Sequence, residues 1–453
     1  MMPKYGMSRA MLVLFMALLT ACGGGSTIEP SSDPAPTSQV EETNSPEPDK
    51  NEPKDPVKLI LHNGSAGEEE FYERFGAMLQ EKFPHVTIEF IRNGTGTTIQ
   101  DLITQGTIPD IIRTDMPTIM SGYLDLELGE DMMPYVEKYN YDLSRFNEVF
   151  IEEMLAIGQN GELYGLPVGP YFPQVLYYNK DLFDKFGVDY PTDGMTWDEV
   201  YELARTMTRE EDGVEYRGFS TNPAAVLRDN PLSLPILDPH EDGLADMEQW
   251  RALFQNLLRF YQIPGNPIGD DNSKESLAFS GGNVAMQINQ HSVYLTIPPE
   301  INWDIAAYPL MEGAPEVMAQ RGPAYYSLTS QSKHKELAFE IIMEMLSDEI
   351  QMEDSKRGIP TTLNNEAIKK ELGTGHPIYS GKNMGAINVY PPVSYAPKRE
   401  RDKVEVAGIR QQVILYETFV ELAQGAITDV NTALNKVDEL LKQEIENRKQ
   451  GLN

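Results

Sequence analysis

The feature that most constrains the fold of this chain is the alternation of short apolar stretches with amphipathic ones after residue 56. Residues 57–61 are typical of a strand, and residues 67–83 place their apolar side chains on one helical face. Residues 86–90 alternate as in a half-buried strand, and a short helix then leads to the apolar strand 108–112. This order predicts an α/β fold, with a parallel sheet covered by helices on both faces.

The ends of the first and third predicted strands are candidate binding positions. Ligands of parallel α/β sheets bind outside the carboxyl ends of the strands, and these ends are Asn63-Gly64-Ser65 and Thr114-Asp115. We therefore expect Asn63 and Asp115 to contact a ligand. The carboxylate of Asp115 is suited to accept hydrogen bonds from two hydroxyl groups. The alternative is that it caps the helix that follows.

A second block of strands and helices starts near Gly161. Asn179 is placed to cap a short helix that Gly187 ends, and Thr196-Trp197-Asp198-Glu199 is a capping box that opens another helix. The chain closes with a long amphipathic helix that starts near Val430. At 453 residues the chain is long enough for two domains.

The charge of the chain narrows the choice of partner. The sequence has 70 acidic and 37 basic residues, with a formal net charge of -33. A nucleic-acid partner is excluded, because binding phosphates needs a basic face. A strongly anionic polymer is disfavoured as a ligand as well, although a local pocket of Arg or Lys overrides the global field.

The amino terminus has the pattern of an export signal. Lys4 and Arg9 precede an apolar run, residues 10–19, that is too short to span a bilayer and has the length of a signal-peptide core. Leu19-Thr20-Ala21-Cys22 resembles the bacterial lipobox, in which the cysteine receives a diacylglyceryl group. We predict a signal peptide at residues 1–21 and lipidation of Cys22, since two acyl chains anchor a protein stably. The alternative is an ordinary helix with a chance cysteine.

The segment after the cysteine is predicted to be a tether. Residues 23–56 contain no aromatic residue and are dense in Pro, Ser, Glu and Asp. Such a segment cannot bury enough apolar surface to order itself. Residues 22–56 would therefore hold a folded part near a membrane.

Seven short strings after the tether resemble the family 1 extracellular solute-binding proteins of bacterial ATP-driven (ABC) importers. Each string is common by itself, but their order along the chain is typical of the family. They are Pro109-Asp110-Ile111, Gly161-Glu162-Leu163-Tyr164-Gly165-Leu166-Pro167, Tyr177-Tyr178-Asn179-Lys180-Asp181-Leu182-Phe183, Thr196-Trp197-Asp198-Glu199, Phe279-Ser280-Gly281-Gly282-Asn283-Val284-Ala285-Met286, Ser332-Lys333-His334-Lys335-Glu336-Leu337-Ala338 and Val430-Asn431-Thr432-Ala433-Leu434.

The resemblance implies a two-lobed, periplasmic-binding-protein-like (type II) α/β fold, with the ligand in the cleft between the lobes. It places chain crossings near Val168–Phe172, Ile305–Pro309 and Met345–Asp348. Lobe one would be residues 57–167 plus 308–346, and lobe two residues 168–307 plus 347–453.

The function implied by the resemblance is the capture of a carbohydrate, an oligosaccharide, and its delivery to the permease subunits of an ABC importer. The protein would be a monomer without enzymatic activity, cofactor or metal. It would be held on the outer face of the cell membrane by its lipid alone, on a Gram-positive-type surface.

A sugar needs aromatic side chains against its ring faces and fixed polar groups around its rim. The resemblance places Tyr171 and Phe172, which follow the first crossing, in the cleft. The alternative for these two residues is packing at the hinge.

Further candidates come from the second half of the chain. His291 and Tyr294 lie where the family usually has glycine followed by tryptophan, and the sequence Gln290-His291-Ser292 departs from that pattern. His291 is equally suited to a capping or core role. Arg321 and Tyr325 lie in the segment that returns to lobe one, and Tyr395 follows two prolines in a loop where the resemblance places an aromatic residue.

Two other classes of function stay open. The sequence has no HExxH, GxSxG or GxxxxGKS/T motif, and its six histidines are scattered. A glycosidase needs two opposed carboxylates, and the 70 acidic residues allow such a pair. An exported carbohydrate-active enzyme is therefore one alternative. A surface adhesin or scaffold without a small ligand is the other.

Overall fold

The computed structural model describes residues 55–64, 67–158, 160–400 and 402–451. The predicted signal peptide, Cys22 and nearly all of the predicted tether lie outside these residues, as do the side chains of Ser121, Tyr294 and Leu295. Within the described ranges, no helix has both the length and the apolar character needed to cross a membrane.

The strands fall into two groups along the chain. They are β1 (Val57–Asn63), β2 (Val86–Arg92), β3 (Ile111–Asp115), β4 (Leu166–Val168), β5 (Phe172–Asn179), β6 (Arg209–Glu211), β7 (Val214–Thr221), β8 (Val284–Gln290), β9 (Trp303–Ala307), β10 (Gln320–Arg321) and β11 (Ala324–Leu328).

Helices occupy most of the chain between the strands. They are α1 (Glu68–Lys82), α2 (Ile99–Thr104), α3 (Met116–Thr118), α4 (Met133–Lys138), α5 (Glu148–Leu155), α6 (Lys180–Phe186), α7 (Trp197–Met207), α8 (Pro223–Arg228), α9 (Met247–Tyr261), α10 (Asn272–Leu277), α11 (Lys335–Met345), α12 (Asp348–Lys356), α13 (Glu366–Lys370), α14 (Gly408–Ala423) and α15 (Val430–Lys449). Short 3-10 turns lie at Leu143–Arg145, Ala278–Gly281, His291–Thr296 and Met384–Asn388, and a π-helical turn lies at Ile119–Leu124.

Two separate sheets confirm the predicted α/β class. The first has the order β2-β1-β3-β11-β4, and the second has the order β10-β5-β8-β7-β6 with β9 paired to β5. Strands β1, β2 and β3 are parallel as predicted, whereas β11 runs antiparallel to both β3 and β4. The first sheet is therefore mixed, with one late strand inserted between two early ones.

Strand β3 begins three residues later than predicted. Pro109 has no N–H group for the ladder, which disfavours a strand interior, and the carboxylate of Asp110 accepts a hydrogen bond from the backbone N–H of Ile60 at 2.8 Å. The strand then runs from Ile111 to Asp115. Asp115 is the last residue of the strand, at the edge where ligands of such sheets bind, as the sequence predicts.

Each sheet has its own hydrophobic core. Phe71, Phe75 and Leu79 of α1 pack against the first sheet, and Trp250 of α9 lies fully buried in the second core. A third buried cluster, which includes Phe150 and Tyr171, lies apart from both. Two cores on two sheets are what a two-lobed architecture requires.

The predicted helix starts in the second block are confirmed. The hydroxyl of Thr196 accepts a hydrogen bond from the Glu199 N–H, and the Glu199 carboxylate accepts one from the Thr196 N–H. The side chain of Asn179 caps α6, and Gly187 ends that helix with a φ of 65°. These local signals are strong because both partners lie within one turn.

The chain changes sheet at residues 169–171 and again at residues 322–323. The first passage lies within the predicted crossing, since β4 belongs to the first sheet and β5 to the second. The return comes later than the predicted Ile305–Pro309, because β10 still pairs with β5. Leu310 also forms two backbone hydrogen bonds at the start of α7. Its N–H donates to the carbonyl oxygen of Met195, and its carbonyl oxygen accepts from the N–H of Trp197, both at 2.9 Å.

Residues beyond the third predicted crossing, near Met345–Asp348, still belong to the first core. Leu363 and Ile368 both pack with the first sheet. The residue ranges of the two lobes stay a prediction. The packing favours chain crossings that lie later in the sequence than the predicted Ile305–Pro309 and Met345–Asp348.

Candidate functional site

Residues from both sheets line a cleft of about 630 Å³. Gly64 and Asp115 approach it from the carboxyl ends of β1 and β3, and Phe172, His291 and Ser292 approach it from the second sheet. This volume lies in the range of small-molecule sites, roughly 300–1,000 Å³. The cleft also lies at the carboxyl ends of β1 and β3, where the sequence predicts a ligand site.

Asp115 has the capping role that the sequence allowed, and its contact with a ligand stays a prediction. One carboxylate oxygen accepts a hydrogen bond from the N–H of Thr118 at 3.1 Å and so caps α3. The other lies 3.4 Å from Nη2 of Arg321, and both side chains are partly exposed in the cleft. The carboxylate thus has a fixed position and one oxygen turned toward the cleft.

Tyr379 is one aromatic residue of the cleft lining, and Phe172 and His291 form an aromatic pair there. Their ring centroids are 6.2 Å apart and their planes are tilted by 36°. The His291 side chain is almost fully buried, and no described residue lies within hydrogen-bond distance of its Nδ1 atom. Burial lowers the pKa of His291 to about 4, so the imidazole is neutral near pH 7.

Four further sequence candidates lie outside the cleft lining, namely Asn63, Tyr171, Tyr325 and Tyr395. Asn63 is buried, and its neighbour Gly64 lines the cleft in its place. Tyr171 is 4% exposed, packs on Phe150 at a centroid distance of 5.5 Å, and lines a separate, smaller cavity of about 250 Å³. Tyr171 therefore packs at the hinge, which was the alternative for this residue, and we do not include it in the proposed site.

Tyr325 is fully buried in β11, and its hydroxyl lies 3.0 Å from the carbonyl oxygen of Phe150. Tyr395 is partly buried and lies over Gly322, where an added Cβ would come within 2.3 Å of the tyrosine ring. It is thus next to the cleft lining without being part of it. The side chain of Tyr294 lies outside the described residues, so its predicted contact stays a prediction.

The sequence reasoning missed a buried arginine of the cleft, Arg74. Its guanidinium forms a bidentate ion pair with Asp354, with Nη2–Oδ2 at 2.7 Å and Nε–Oδ1 at 3.1 Å. Both side chains are 3% exposed. A signal was present: Arg74 follows Phe71 by three residues and precedes Met78 by four, so it lies on the apolar face of α1. A charge on such a face requires a buried partner.

A second missed arginine, Arg113, lies in the buried strand β3. Its Nη2 donates to the carbonyl oxygen of Gly169 at 3.1 Å, and Arg74 donates to the same oxygen at 3.4 Å. Burial lowers the pKa of Arg113, and the neighbouring Arg74 cation acts in the same direction. The two arginines thus attach the first crossing between the sheets to the floor of the cleft.

A buried carboxyl group, Glu153 of α5, lies near the hinge. It accepts a hydrogen bond from the backbone N–H of Tyr395 at 2.6 Å and lies 3.1 Å from the hydroxyl of Tyr325. Burial raises the pKa of Glu153 to about 7, although these hydrogen bonds and the charge of Lys398 oppose the shift. Its protonation therefore changes near neutral pH.

We expect Glu153 to make stability fall as the pH rises from about 4.5 to about 7, because the folded state keeps a proton that the unfolded state has already lost. The contribution of Glu153 to the free energy of unfolding is complete below pH 4.5 and is lost above pH 7. Glu153→Gln stays neutral, so the melting temperature of the variant minus that of the parent should increase with pH across this window. Calorimetry at pH 5, 6, 7 and 8 tests this, and a constant difference would contradict it.

The opposite pH dependence of His291 does not affect this comparison. Its lowered pKa means that stability is lost as the pH falls from about 6.5 to about 4. Both proteins in the comparison keep His291, so its effect cancels in the difference.

A metal site was not expected from the sequence. In the part of the chain that the structure describes, His, Cys, Asp and Glu side chains form no group of three that could hold a metal ion.

The fold and the cleft define a two-lobed binding protein. Residues 61–352 match the family model of the bacterial extracellular solute-binding proteins, which is well over half of the chain. The chain belongs to this family, as the resemblance implied. The family is one of binding proteins.

A curated relative gives a partial match. An uncharacterised ABC transporter extracellular-binding protein of Pyrococcus horikoshii is 25% identical over 209 residues. The match covers 45% of this chain and 42% of the relative, so it spans less than half of either protein.

Solved structures cover nearly all of the described residues. A sugar transporter of Rhizobium etli in an open conformation is 20% identical, with a TM-score of 0.68 over 86% of this chain and 99% of the other. An ABC substrate-binding protein of Listeria monocytogenes in complex with cycloalternan is 19% identical, with a TM-score of 0.62 over 88% of this chain and 100% of the other. At these identities the likeness shows the fold, and it confirms the predicted two-lobed α/β architecture.

Proposed function

We propose that the protein captures a carbohydrate, an oligosaccharide, in its cleft and delivers it to the permease subunits of an ABC importer. The observation that carries this proposal is the joint lining of the cleft by both sheets, with an aromatic ring beside fixed hydrogen-bonding groups. A ligand that touches both lobes stabilises the closed arrangement selectively. Such closure marks the loaded protein for its permease.

The chemistry of the lining fits a sugar. Phe172 offers an apolar face for the C–H side of a pyranose ring. Asp115 accepts hydrogen bonds from hydroxyl groups, and Arg321 donates to them. His291 also lines the cleft, and its buried Nδ1 has no hydrogen-bond partner among the described residues. We therefore assign ligand contact to these four of the residues that the sequence predicted.

The similar proteins support this assignment by what they bind. The Rhizobium etli structure is that of a sugar transporter, and the Listeria monocytogenes protein holds cycloalternan. The name of the Pyrococcus horikoshii relative supports the link to an ABC transporter. We also propose that lobe one consists of about residues 57–168 plus 323–368, and lobe two of the other folded residues.

A thermal-shift screen of the purified protein against mono- and oligosaccharides tests the proposal. A true ligand at 100 times its dissociation constant should stabilise the folded state by roughly 2.7 kcal/mol. Release of reducing sugar during the same incubations would instead support the enzyme alternative. If no saccharide of a broad panel shifted the transition, the proposed function would be wrong.

We further propose that Cys22 carries a lipid that anchors the protein, as a monomer, to the outer face of the cell membrane. The charged start, the short apolar run and Leu19-Thr20-Ala21-Cys22 support it. The expressed protein should partition with membranes, and Cys22→Ser should release it or leave its precursor uncleaved. Unchanged membrane association of the variant would contradict this.

A further inference from the structure

The cleft departs from the charge balance of the chain. Four arginines line it, Arg74, Arg113, Arg321 and Arg357, together with three carboxylates, Glu70, Glu73 and Asp115. In the whole sequence 37 basic residues face 70 acidic ones. Cations therefore outnumber anions in the lining of the cleft, whereas anions dominate the protein almost two to one. The net charge of the protein repels a negatively charged ligand, and this repulsion is weaker in the cleft.

The cations of the cleft are of one chemical kind. The sequence has 20 lysines and 17 arginines, yet each basic side chain that lines the cleft in the described part of the chain is an arginine. A guanidinium is a planar fork that matches the two oxygens of a carboxylate, whereas an ammonium group is a point charge. The lining is thus suited to recognise a planar anionic group and not merely to supply positive charge.

Two of the arginines are placed to reach a ligand. The Arg321 side chain is 49% exposed and pairs with Asp115 at the long distance of 3.4 Å. Arg357 is exposed, and its Nη1 donates to the backbone carbonyl oxygen of Glu73 at 3.2 Å. That acceptor is neutral, so this contact positions the guanidinium without cancelling its charge.

The other two arginines form the floor of the cleft. Arg74 and Arg113 share the carbonyl oxygen of Gly169, and the bidentate partner of Arg74 is Asp354. Asp354 balances the charge of Arg74, whereas the acceptor of Arg113 is a neutral carbonyl oxygen, so the positive potential of the floor comes mainly from Arg113. Burial limits the screening of that potential, and a carboxylate bound by Arg321 and Arg357 would be attracted by it.

From this arrangement we propose that the ligand of the cleft is an acidic saccharide, one that carries a carboxylate on a sugar ring, as uronic acids do. The proposal rests on the proposed function and narrows its substrate class. Asp115 and His291 would bind hydroxyl groups of the sugar, and Arg321 and Arg357 would bind its carboxylate.

Matched pairs of saccharides test the proposal. Oligosaccharides of galacturonate, mannuronate and hyaluronan, two to six units long, are titrated by calorimetry beside their carboxyl-reduced counterparts, which keep the same linkages. At least one acidic member should bind about 10- to 100-fold more tightly than its reduced partner, the range expected for a charge-assisted pair. The preference should shrink as the salt concentration is raised.

Variants identify the groups responsible. Arg321→Gln and Arg357→Gln should each reduce the preference for the acidic partner while the ligand-free melting temperature stays close to that of the parent. Arg205→Gln is the matched control, since Arg205 is exposed on α7 and pairs with Glu202 away from the cleft. An unchanged preference in both cleft variants would overturn the assignment of the arginines.

The result also separates this inference from the function on which it rests. If neutral saccharides bind as well as or better than acidic ones, the acidic ligand is wrong and the carbohydrate-binding function stands. If neither the neutral nor the acidic panel binds, both proposals fail.

Discussion

Replacing Asp354 by asparagine is expected to destabilise the protein by about 3–5 kcal/mol, the usual cost of breaking a buried ion pair. Arg74 and Asp354 are both 3% exposed, and their contact is bidentate. The substitution leaves the Arg74 cation buried without its partner. Arg113 shares a carbonyl acceptor with Arg74, so the uncompensated charge lies close to a second guanidinium.

Urea unfolding, followed by circular dichroism and by hydrogen exchange of the first sheet, measures this loss. Glu336→Gln is the control, because it breaks an exposed pair with Lys138 whose side chains are 62% and 52% exposed. Exposed pairs contribute about 0–1 kcal/mol. A loss below about 1 kcal/mol for Asp354→Asn, comparable to that of an exposed pair, would mean that the buried pair does not stabilise the cleft floor.

Filling the cleft from the second lobe should abolish ligand binding. Ser292 is half-buried in the turn after β8 and lines the cleft. Ser292→Trp would place an indole in the space proposed for a sugar ring, so the affinity for any saccharide found in the screen should fall by more than about 100-fold, or about 2.7 kcal/mol. The folded state should survive, because the new side chain enters an open cleft and not a packed core.

Ser273→Trp supplies the matched control, since Ser273 is exposed on α10 and is not part of the cleft lining. Isothermal titration of both variants, with their ligand-free melting temperatures, separates blocked binding from misfolding. Normal affinity in a folded Ser292→Trp variant would place the ligand site elsewhere.

The sequence predicted those parts of the fold that depend on nearby residues. The capping box at Thr196 and the cap at Asn179 each need partners within one turn, and both are confirmed. The alternation of β1, α1 and β2 follows from side-chain periodicity alone. The position of Asp115 follows as well, because the carboxyl end of a parallel strand is defined by the strand itself.

The features that the sequence did not predict depend on residues far apart in the chain. The chain returns to the first sheet only after β10 has paired with β5, and Leu310 is hydrogen-bonded to Met195 and Trp197, more than a hundred residues earlier. The partner of Arg74 is 280 residues away. No local pattern identifies such pairings, so the floor of the cleft had to come from the structure.

Neighbouring aromatic residues show the same limit. Tyr171 and Phe172 are adjacent, yet Tyr171 packs on Phe150 while Phe172 lines the cleft. Successive side chains at the start of a strand point to opposite sides, and the sequence does not say which side is the cleft. Tyr325 is a further example, since this residue of β11 is fully buried.

The central claim is that a saccharide is held between two lobes that close around it. Small-angle X-ray scattering of the purified protein, with and without a saturating saccharide whose binding calorimetry has established, tests this most directly. We predict a smaller radius of gyration for the saturated protein, and no change when the same saccharide is added to Ser292→Trp. An unchanged radius of gyration in the parent protein at full saturation would contradict the claim.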